Sequence, residues 1–269
     1  MLPAALLMAG ISFAQPQAKD KDFLGYWRQS KQYHKIAQEN IVVVDLPQEE
    51  RFFVVWAPLG RPVDRAMVLL HGTGGTAYDE VADEIAMAKK HGYALIGIQW
   101  LDKKTGRYDS AEKINRMIER ALSFYKKRYG PLKTVALSGF SRGGAISYEV
   151  AYLDNQGEKN LKLIIAHSGG IPIDNVVAPR EDNTPGKFYS DLTTGRLGSN
   201  GFEGQSFFLY AGCQDEQWGS SMCEKMEYTK GVIEKNGGSV VGCIIDQQGK
   251  HGGYRSNQDY HEQAIRKWM

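Results

Sequence analysis

At 269 residues, with 42% hydrophobic and 24% charged side chains, the chain is long enough for one sizeable core, and α/β chains of this length commonly stay single domains. Lys and Arg number 33 against 31 Asp and Glu, a net charge of only +2, so the basic excess or block expected of a nucleic-acid or anionic-membrane partner is missing. The densest basic cluster, Lys126-Lys127-Arg128, reads as the solvated end of a helix.

The chain opens on an apolar run, Leu2 to Phe13, with small residues Ser12 and Ala14 at the −3 and −1 positions of a possible cleavage site. The run is far short of the roughly 20 residues of a membrane span, which favours a signal peptide over residues 1–14. The positive charge that usually precedes such a run is missing, and a buried N-terminal helix is the alternative. Residues 15–40 read as a lead-in, and no later run is long enough for a membrane helix.

From residue 41 the expected main domain runs to residue 269. Ile41 to Leu46 and Arg51 to Ala57 read as two strands joined by a turn containing Pro47. Ala66 to Leu70 is a short buried-strand run, followed by the glycine-rich His71-Gly72-Thr73-Gly74-Gly75. Tyr78 to His91 has helical spacing, with Val81, Ile85 and Ala88 on one face. Ala94 to Trp100 is a strand. Ala111 to Tyr129 is an amphipathic helix, with Ile114, Met117, Ile118, Ala121, Leu122 and Tyr125 on its apolar face and Gly130-Pro131 as its stop.

The alternation continues with a strand over Thr134 to Phe140, a helix over Arg142 to Leu153 and a strand over Leu161 to His167. Strand, helix, strand and helix follow at Gln205 to Ala211, Ser221 to Asn236, Val240 to Asp246 and Tyr254 to Trp268. This order predicts a mostly parallel sheet of about eight strands with helices on both faces. Residues 171–204 break the rhythm. Rich in Pro, Gly, Asp, Asn and Thr, they are expected as a lid-like insertion over the carboxyl edge of the sheet, or as a plain surface excursion.

Gly139-Phe140-Ser141-Arg142-Gly143 matches G-x-S-x-G, a weak pattern that gains weight from lying between a strand and a helix. A serine on so sharp a turn needs neighbours without a Cβ, and its hydroxyl then projects above the sheet. The upstream loop His71 to Gly75 can offer a backbone N–H to a tetrahedral oxyanion. Thr73 and Arg142 are the expected donors, with Gly74 the alternative to Thr73. A phosphate cradle is disfavoured, since neither glycine signature of such loops is present.

A serine needs a base. His34, His91 and His261 read as surface residues, and His71 as a brace for its own loop. His167 ends a strand and is a minor candidate. His251, flanked by glycines after the last strand, is the expected base. Asp215, after the preceding strand, is the expected acid that orients it, with Glu216 the runner-up and Asp246 third.

Among three cysteines, Cys213 and Cys223 flank a loop and are the expected disulfide, leaving Cys243 as a buried thiol. No Cys-x-x-Cys spacing suggests zinc. Tyr78, Trp100 and Trp218 could line an aromatic cleft or simply pack against their neighbours.

From roughly Arg51 to Met269 the chain resembles an α/β-hydrolase with a small or absent lid. The carrying residues are the oxyanion loop His71 to Gly75, the elbow Gly139 to Gly143, then Asp215 and His251 in that family's order. It is similar to the polyhydroxybutyrate-depolymerase, feruloyl or acetyl-xylan esterase and polyester-hydrolase group. The resemblance implies a secreted or periplasmic serine esterase with catalytic Ser141, Asp215 and His251 and no metal or organic cofactor. Its expected partner is a small-molecule or polymeric ester, without nucleic acid or stable membrane association, and the expected state is a monomer. A peptidase or acyltransferase on the same scaffold, or an inactive binding protein, are the rival functions.

Overall fold

The computed structural model describes residues 31–60, 63–173, 186–217 and 221–269. The expected signal peptide, the first half of the lead-in and Trp218 lie outside them. A short helix α1, Lys31–Ile36, precedes a hairpin of β1, Ile41–Leu46, and β2, Arg51–Trp56. The hairpin turns on a single 3-10 turn begun by Pro47, whose fixed φ suits a first helical position.

Every residue of β2 is buried, including Arg51 at its start. A buried guanidinium is tolerable only when paired. Here its Nε and Nη2 donate to the two carboxylate oxygens of Asp109 at 2.6 and 2.8 Å.

The alternation then proceeds as β3, Arg65–Leu70; α2, Ala77–His91; β4, Ala94–Ile98; and the small hairpin β5, Leu101–Asp102, with β6, Arg107–Tyr108. It continues as α3, Ala111–Tyr129; β7, Thr134–Phe140; α4, Arg142–Gln156; and β8, Leu161–His167. Next come α5, Gly186–Thr193; β9, Ser206–Gly212; α6, Ser221–Lys235; β10, Ser239–Asp246; α7, Gly253–Ser256; and α8, Gln258–Trp268.

Eight strands form one sheet in the order β1-β2-β4-β3-β7-β8-β9-β10. Only the pairings of β2, with β1 and with β4, are antiparallel. All other pairs are parallel, with Val68 of β3 opposite Ile96 on one side and Leu137 on the other.

Period-two alternation divides the strand residues between two cores. Ala66, Val68 and Leu70 face one core, built with α3, α4, α5 and α6. Met67 and Leu69 face the other, built with α1, α2, α7 and α8. Both faces being covered explains why the central strands read as continuous apolar runs. In α3 the predicted stripe is the buried face: Ile114, Met117, Ile118, Ala121, Leu122 and Tyr125 are all buried. Trimming Ile118, 1% exposed, to Ala should cost about 2–5 kcal/mol.

Helix starts are set locally. Thr76 and Asp79 form a reciprocal capping box at α2, with Thr76 N–H donating to Asp79 Oδ2 at 2.6 Å.

Three expectations change. The small hairpin β5–β6 went unpredicted, because two-residue strands carry no periodicity. The last predicted helix is two, broken at Asn257, which caps α8 through a bond from Asp259 N–H at 3.0 Å. Within segment 171–204, part of the described chain packs into the core. Phe188, Tyr189 and Leu192 of α5 and then Phe202 are buried, and Asn155 Nδ2 donates to Gly201 O at 3.0 Å. Residues 174–185 lie outside the described chain.

Candidate active site

The parallel strands end on one edge, and the expected site residues follow them there. His71 to Gly75 leaves β3, Ser141 follows β7, Asp215 follows β9 and His251 follows β10. Because β3 neighbours β7 in the sheet, the glycine-rich loop and the serine turn are side by side by construction.

Ser141 adopts φ 54°, ψ −114°, a positive φ rarely taken by a residue with a side chain. It is also the N-cap of α4, yet its hydroxyl makes no capping bond. An ordinary cap serine spends its oxygen on the helix's first N–H groups; this backbone holds it elsewhere. The close packing that imposes the strain needs bare glycines. A Cβ on Gly139 would stand 2.3 Å from Gly143 O, and one on Gly143 2.2 Å from Leu70 O.

Asp215 and His251 are brought together. The carboxylate is buried and accepts from His251 Nδ1 at 2.6 Å through Oδ2, while its Oδ1 accepts from Gln217 N–H at 2.8 Å. A proton on Nδ1 leaves Nε2 as the basic nitrogen. The runners-up are engaged elsewhere. Glu216 is exposed and ion-paired to Lys250 at 3.2 Å, and Asp246 accepts from Tyr260 OH at 2.9 Å.

His251 approaches the elbow through Phe140, the residue before Ser141: their ring centroids lie 5.1 Å apart. Among the described residues no hydrogen bond joins Ser141 Oγ to His251. Such a contact commonly tightens only in the substrate complex.

The glycine-rich loop turns at Thr73 and Gly74, with Gly75 N–H donating to Gly72 O at 3.1 Å and Gly74 at φ 73°, a left-handed position that suits glycine. The Gly74 N–H donates to Tyr108 OH at 2.7 Å, so this alternative donor is already engaged. Thr73 is exposed, and its Oγ1 accepts from Arg142 Nε at 3.4 Å. The two expected donor residues therefore touch. Arg142 also lies over the Tyr108 ring, its Cζ 4.3 Å from the centroid.

His71 is fully buried, with Nδ1 2.9 Å from Gly72 O. Burial lowers its pKa to about 4, so it is neutral at pH 7 and serves as the expected loop brace. His167 is also buried and held well below the usual histidine range by desolvation, with Arg255 adding to the effect. It is stacked on Phe140 at 5.3 Å. His34 is exposed. His91 is half-buried and bonded to Glu262 at 3.0 Å. His261, expected on the surface, is buried instead, stacked on Tyr254 at 4.4 Å with Glu84 3.3 Å away.

The aromatic-cleft expectation needs correction. Tyr78 and Trp100 are 0% and 1% exposed, and neither offers a surface to a ligand. Tyr78 lies on the buried face of α2 against Phe52, centroids 5.1 Å apart. Trp100 packs between His71 at 5.3 Å and Tyr108 at 4.8 Å, so it braces the glycine-rich loop. Tyr108, Phe140 and Arg255 stand beside the candidate residues and were not singled out by sequence reasoning. Phe140 sat inside the recognised motif as its variable position, whereas the other two lacked a local signal.

Cys213 and Cys223 form a disulfide with a Cα–Cα distance of 5.4 Å, closing the loop that carries Asp215. Cys243 is a free, partly buried thiol that burial pushes up to about 11, which leaves little of the nucleophilic thiolate. Among the described residues no group of three or more His, Cys, Asp or Glu is placed to hold a metal ion. Nor is any described helix long and apolar enough to cross a membrane.

No protein-family model matches the chain, and no curated protein matches it in sequence. Solved structures do match in shape. One of two fungal esterases from Rhizomucor miehei is similar at TM-score 0.63 and 14% identity, over 94% of this chain and 91% of that one. An esterase B from Lactobacillus rhamnosis, solved with a tributyrin phosphonate, is similar at TM-score 0.59 and 17% identity, over 95% and 94%. Est1E from Butyrivibrio proteoclasticus, with ferulic acid bound, is similar at TM-score 0.56 and 13% identity, over 84% and 98%. At such identities the likeness establishes the fold, which is that of the α/β-hydrolases.

Proposed function

We propose that this protein is a serine hydrolase of carboxylic esters, with Ser141 as nucleophile, His251 as base and Asp215 as the acid that orients it. One observation carries the reading. A serine in a strained, uncapped turn lies on the same sheet edge as a buried Asp215–His251 pair bonded at 2.6 Å. Forcing a side chain into that backbone costs about 1–3 kcal/mol, a cost hard to explain for a serine with no task.

In this mechanism His251 Nε2 takes the Ser141 proton as Oγ attacks the ester carbonyl. The carbonyl π pair moves onto oxygen, where the N–H groups of Thr73 and Arg142 hold the charge. Collapse expels the alcohol, which receives the proton from His251. Water, deprotonated by the same imidazole, then attacks the acyl-enzyme and releases the acid. Asp215 stays ionised throughout and stabilises the imidazolium.

Plant cell-wall esters and polyesters are the substrates we place first. The support is a likeness: Est1E, similar in fold, was solved with ferulic acid bound. Export is the compartment that suits the Cys213–Cys223 disulfide.

Labelling with a fluorophosphonate tests the class, and a panel of nitrophenyl acetate and butyrate, feruloyl esters, acetylated xylan and polyester tests the substrate. Wild type should take up one label on Ser141 and turn over short esters. Ser141→Ala should take up none and lose about 10⁶-fold in kcat with an unchanged circular-dichroism spectrum. Rapid cleavage of a peptide nitroanilide with negligible ester turnover would move the reading to a peptidase. No label with no turnover of any ester would leave a binding protein on this scaffold.

A further inference from the structure

Phe140 is the point where the site's parts meet. Its ring lies 5.1 Å from that of His251 and 5.3 Å from that of His167. It also occupies the space beside the oxyanion loop, since a Cβ on Gly72 would stand 2.9 Å from Phe140 Cδ1. The guanidinium of Arg255 covers this ring, with Cζ 4.3 Å from the centroid. Arg255 stands four residues beyond His251 on the short helix α7, yet its charge is anchored across the site. It pairs with Glu80, and its Nη1 lies 3.4 Å from Asp83 Oδ2. Both carboxylates belong to α2, the helix that opens directly after the oxyanion loop.

We propose that Arg255 is a positioning residue, which presses on Phe140 from its Glu80–Asp83 anchor and holds the elbow, the oxyanion loop and the His251 loop in register for attack. The inference rests on the hydrolase reading above.

Its physical basis is the cost of the arrangement. The Arg255 side chain is only 23% exposed, and Glu80 is buried. Burial, with Asp83 and Asp79 adding to it, lifts the Glu80 carboxyl to about 7 against the pull of Arg255. Two charges withdrawn from water to this degree are poor stabilisers compared with apolar packing. What the pair supplies is a fixed geometry. A planar guanidinium that meets two carboxylates through its nitrogens and an aromatic ring through its face has little freedom left. The four-residue helix α7 could not supply that rigidity alone. Its neighbour Tyr254 anchors the same helix in the core by a separate set of contacts, 4.5 Å from the His167 ring and 4.4 Å from that of His261.

The test compares wild type, Arg255→Ala, Arg255→Lys and Glu80→Gln in steady-state turnover of nitrophenyl acetate, with Tm measured on each. Arg255→Ala should lower kcat about 100-fold, the scale of a misplaced reacting group, with KM and Tm little changed. Non-denaturing millimolar methylguanidinium should restore part of that loss, and Arg255→Lys should retain more activity than Ala. A kcat equal to wild type in Arg255→Ala overturns the proposal. So does a loss that follows Tm down, raises KM in step and ignores methylguanidinium, which marks a purely structural residue. If Arg255→Ala does not fold, Glu80→Gln carries the test: a selective kcat loss supports the proposal, and unchanged kcat overturns it. Ser141→Ala separates the two failures. An inactive Ser141→Ala beside a fully active Arg255→Ala defeats only this inference, whereas an active Ser141→Ala defeats the hydrolase reading itself.

Discussion

The loop that carries Asp215 and the loop that carries His251 leave adjacent parallel strands, yet they are secured by different means. The acid loop is closed on itself by the Cys213–Cys223 disulfide, a local bond spanning ten positions. The base loop has no covalent tie among the described residues. It is held by distant parts of the chain: Ser168 Oγ donating to His251 O, Tyr254 among buried rings, and Arg255 reaching α2. Where the loops touch, backbone joins them, with Cys213 N–H donating to Asp246 O and Gln214 N–H to Gly249 O, both at 2.8 Å. The contrast teaches a division of labour. In the proposed mechanism the acid needs only a fixed position, which a local staple supplies. The proposed base must be aligned with Ser141 and the glycine-rich loop together, which contacts to those parts can do.

The sharpest way to break the comparison is to remove what the acid loop presents. Asp215→Asn keeps the shape but reverses the hydrogen-bond preference toward His251 Nδ1, favouring the tautomer that presents Nε2–H to the serine. In a working triad this costs about 10⁴ in kcat. Stopped-flow or steady-state turnover of nitrophenyl acetate reads it directly. If kcat stays near wild type, the 2.6 Å bond is structural and the acid lies elsewhere.

Next in size is the staple. Closing so short a loop stabilises the fold by about 2–3 kcal/mol on chain-entropy grounds. Cys213→Ser with Cys223→Ser should therefore lower Tm by roughly 4–5 °C. Because the backbone bonds to the base loop remain, kcat should fall by less than about tenfold, short of the misplacement scale. Arg255→Ala is expected to do the reverse, lowering kcat more than Tm. Differential scanning calorimetry beside kinetics would show the two patterns crossing. The same pattern in both variants would erase the division of labour.

This contrast also marks what the sequence could reveal. The meeting of Ser141, Asp215 and His251 at one sheet edge was legible because each follows a buried strand, and short-range chemistry marks it: bare glycines around Ser141, glycines around His251, flanking cysteines around Asp215. Tyr78 was legible too, in hindsight. It shares its helix face with Val81 and Ala88, both buried, and that spacing pointed it into the core. Arg255, Glu80 and Tyr108 could not be found this way. Their contacts join elements far apart in the chain, and a charged residue paired at long range has the same local appearance as a solvated one. The buried positions within 186–204 were hidden for a related reason. Their burial rests on α4 and Phe207 rather than on a repeating apolar pattern of their own, with Phe202 5.0 Å from the Phe207 ring.

The smallest effect tests the exposed side-chain ion pair between the two loops, Glu216 with Lys250 at 3.2 Å. Both ends are well exposed, and exposed pairs contribute little because water and salt compete for each charge. Glu216 nevertheless sits below its ordinary value of 4.5, held there first by backbone hydrogen bonding and then by Lys250. A depressed carboxyl stabilises the fold only where it is ionised. The contribution is therefore complete above 4.5 and fades as pH falls through the lowered value. Glu216→Gln should change kcat by no more than about twofold at neutral pH. Any Tm difference from wild type should be largest at neutral pH and low salt, and should vanish in acid or in about 1 M salt, where screening acts within about 3 Å. A collapse of kcat instead would make Glu216 the orienting acid, and would place the working carboxylate on the exposed rim of the loop rather than in its buried interior.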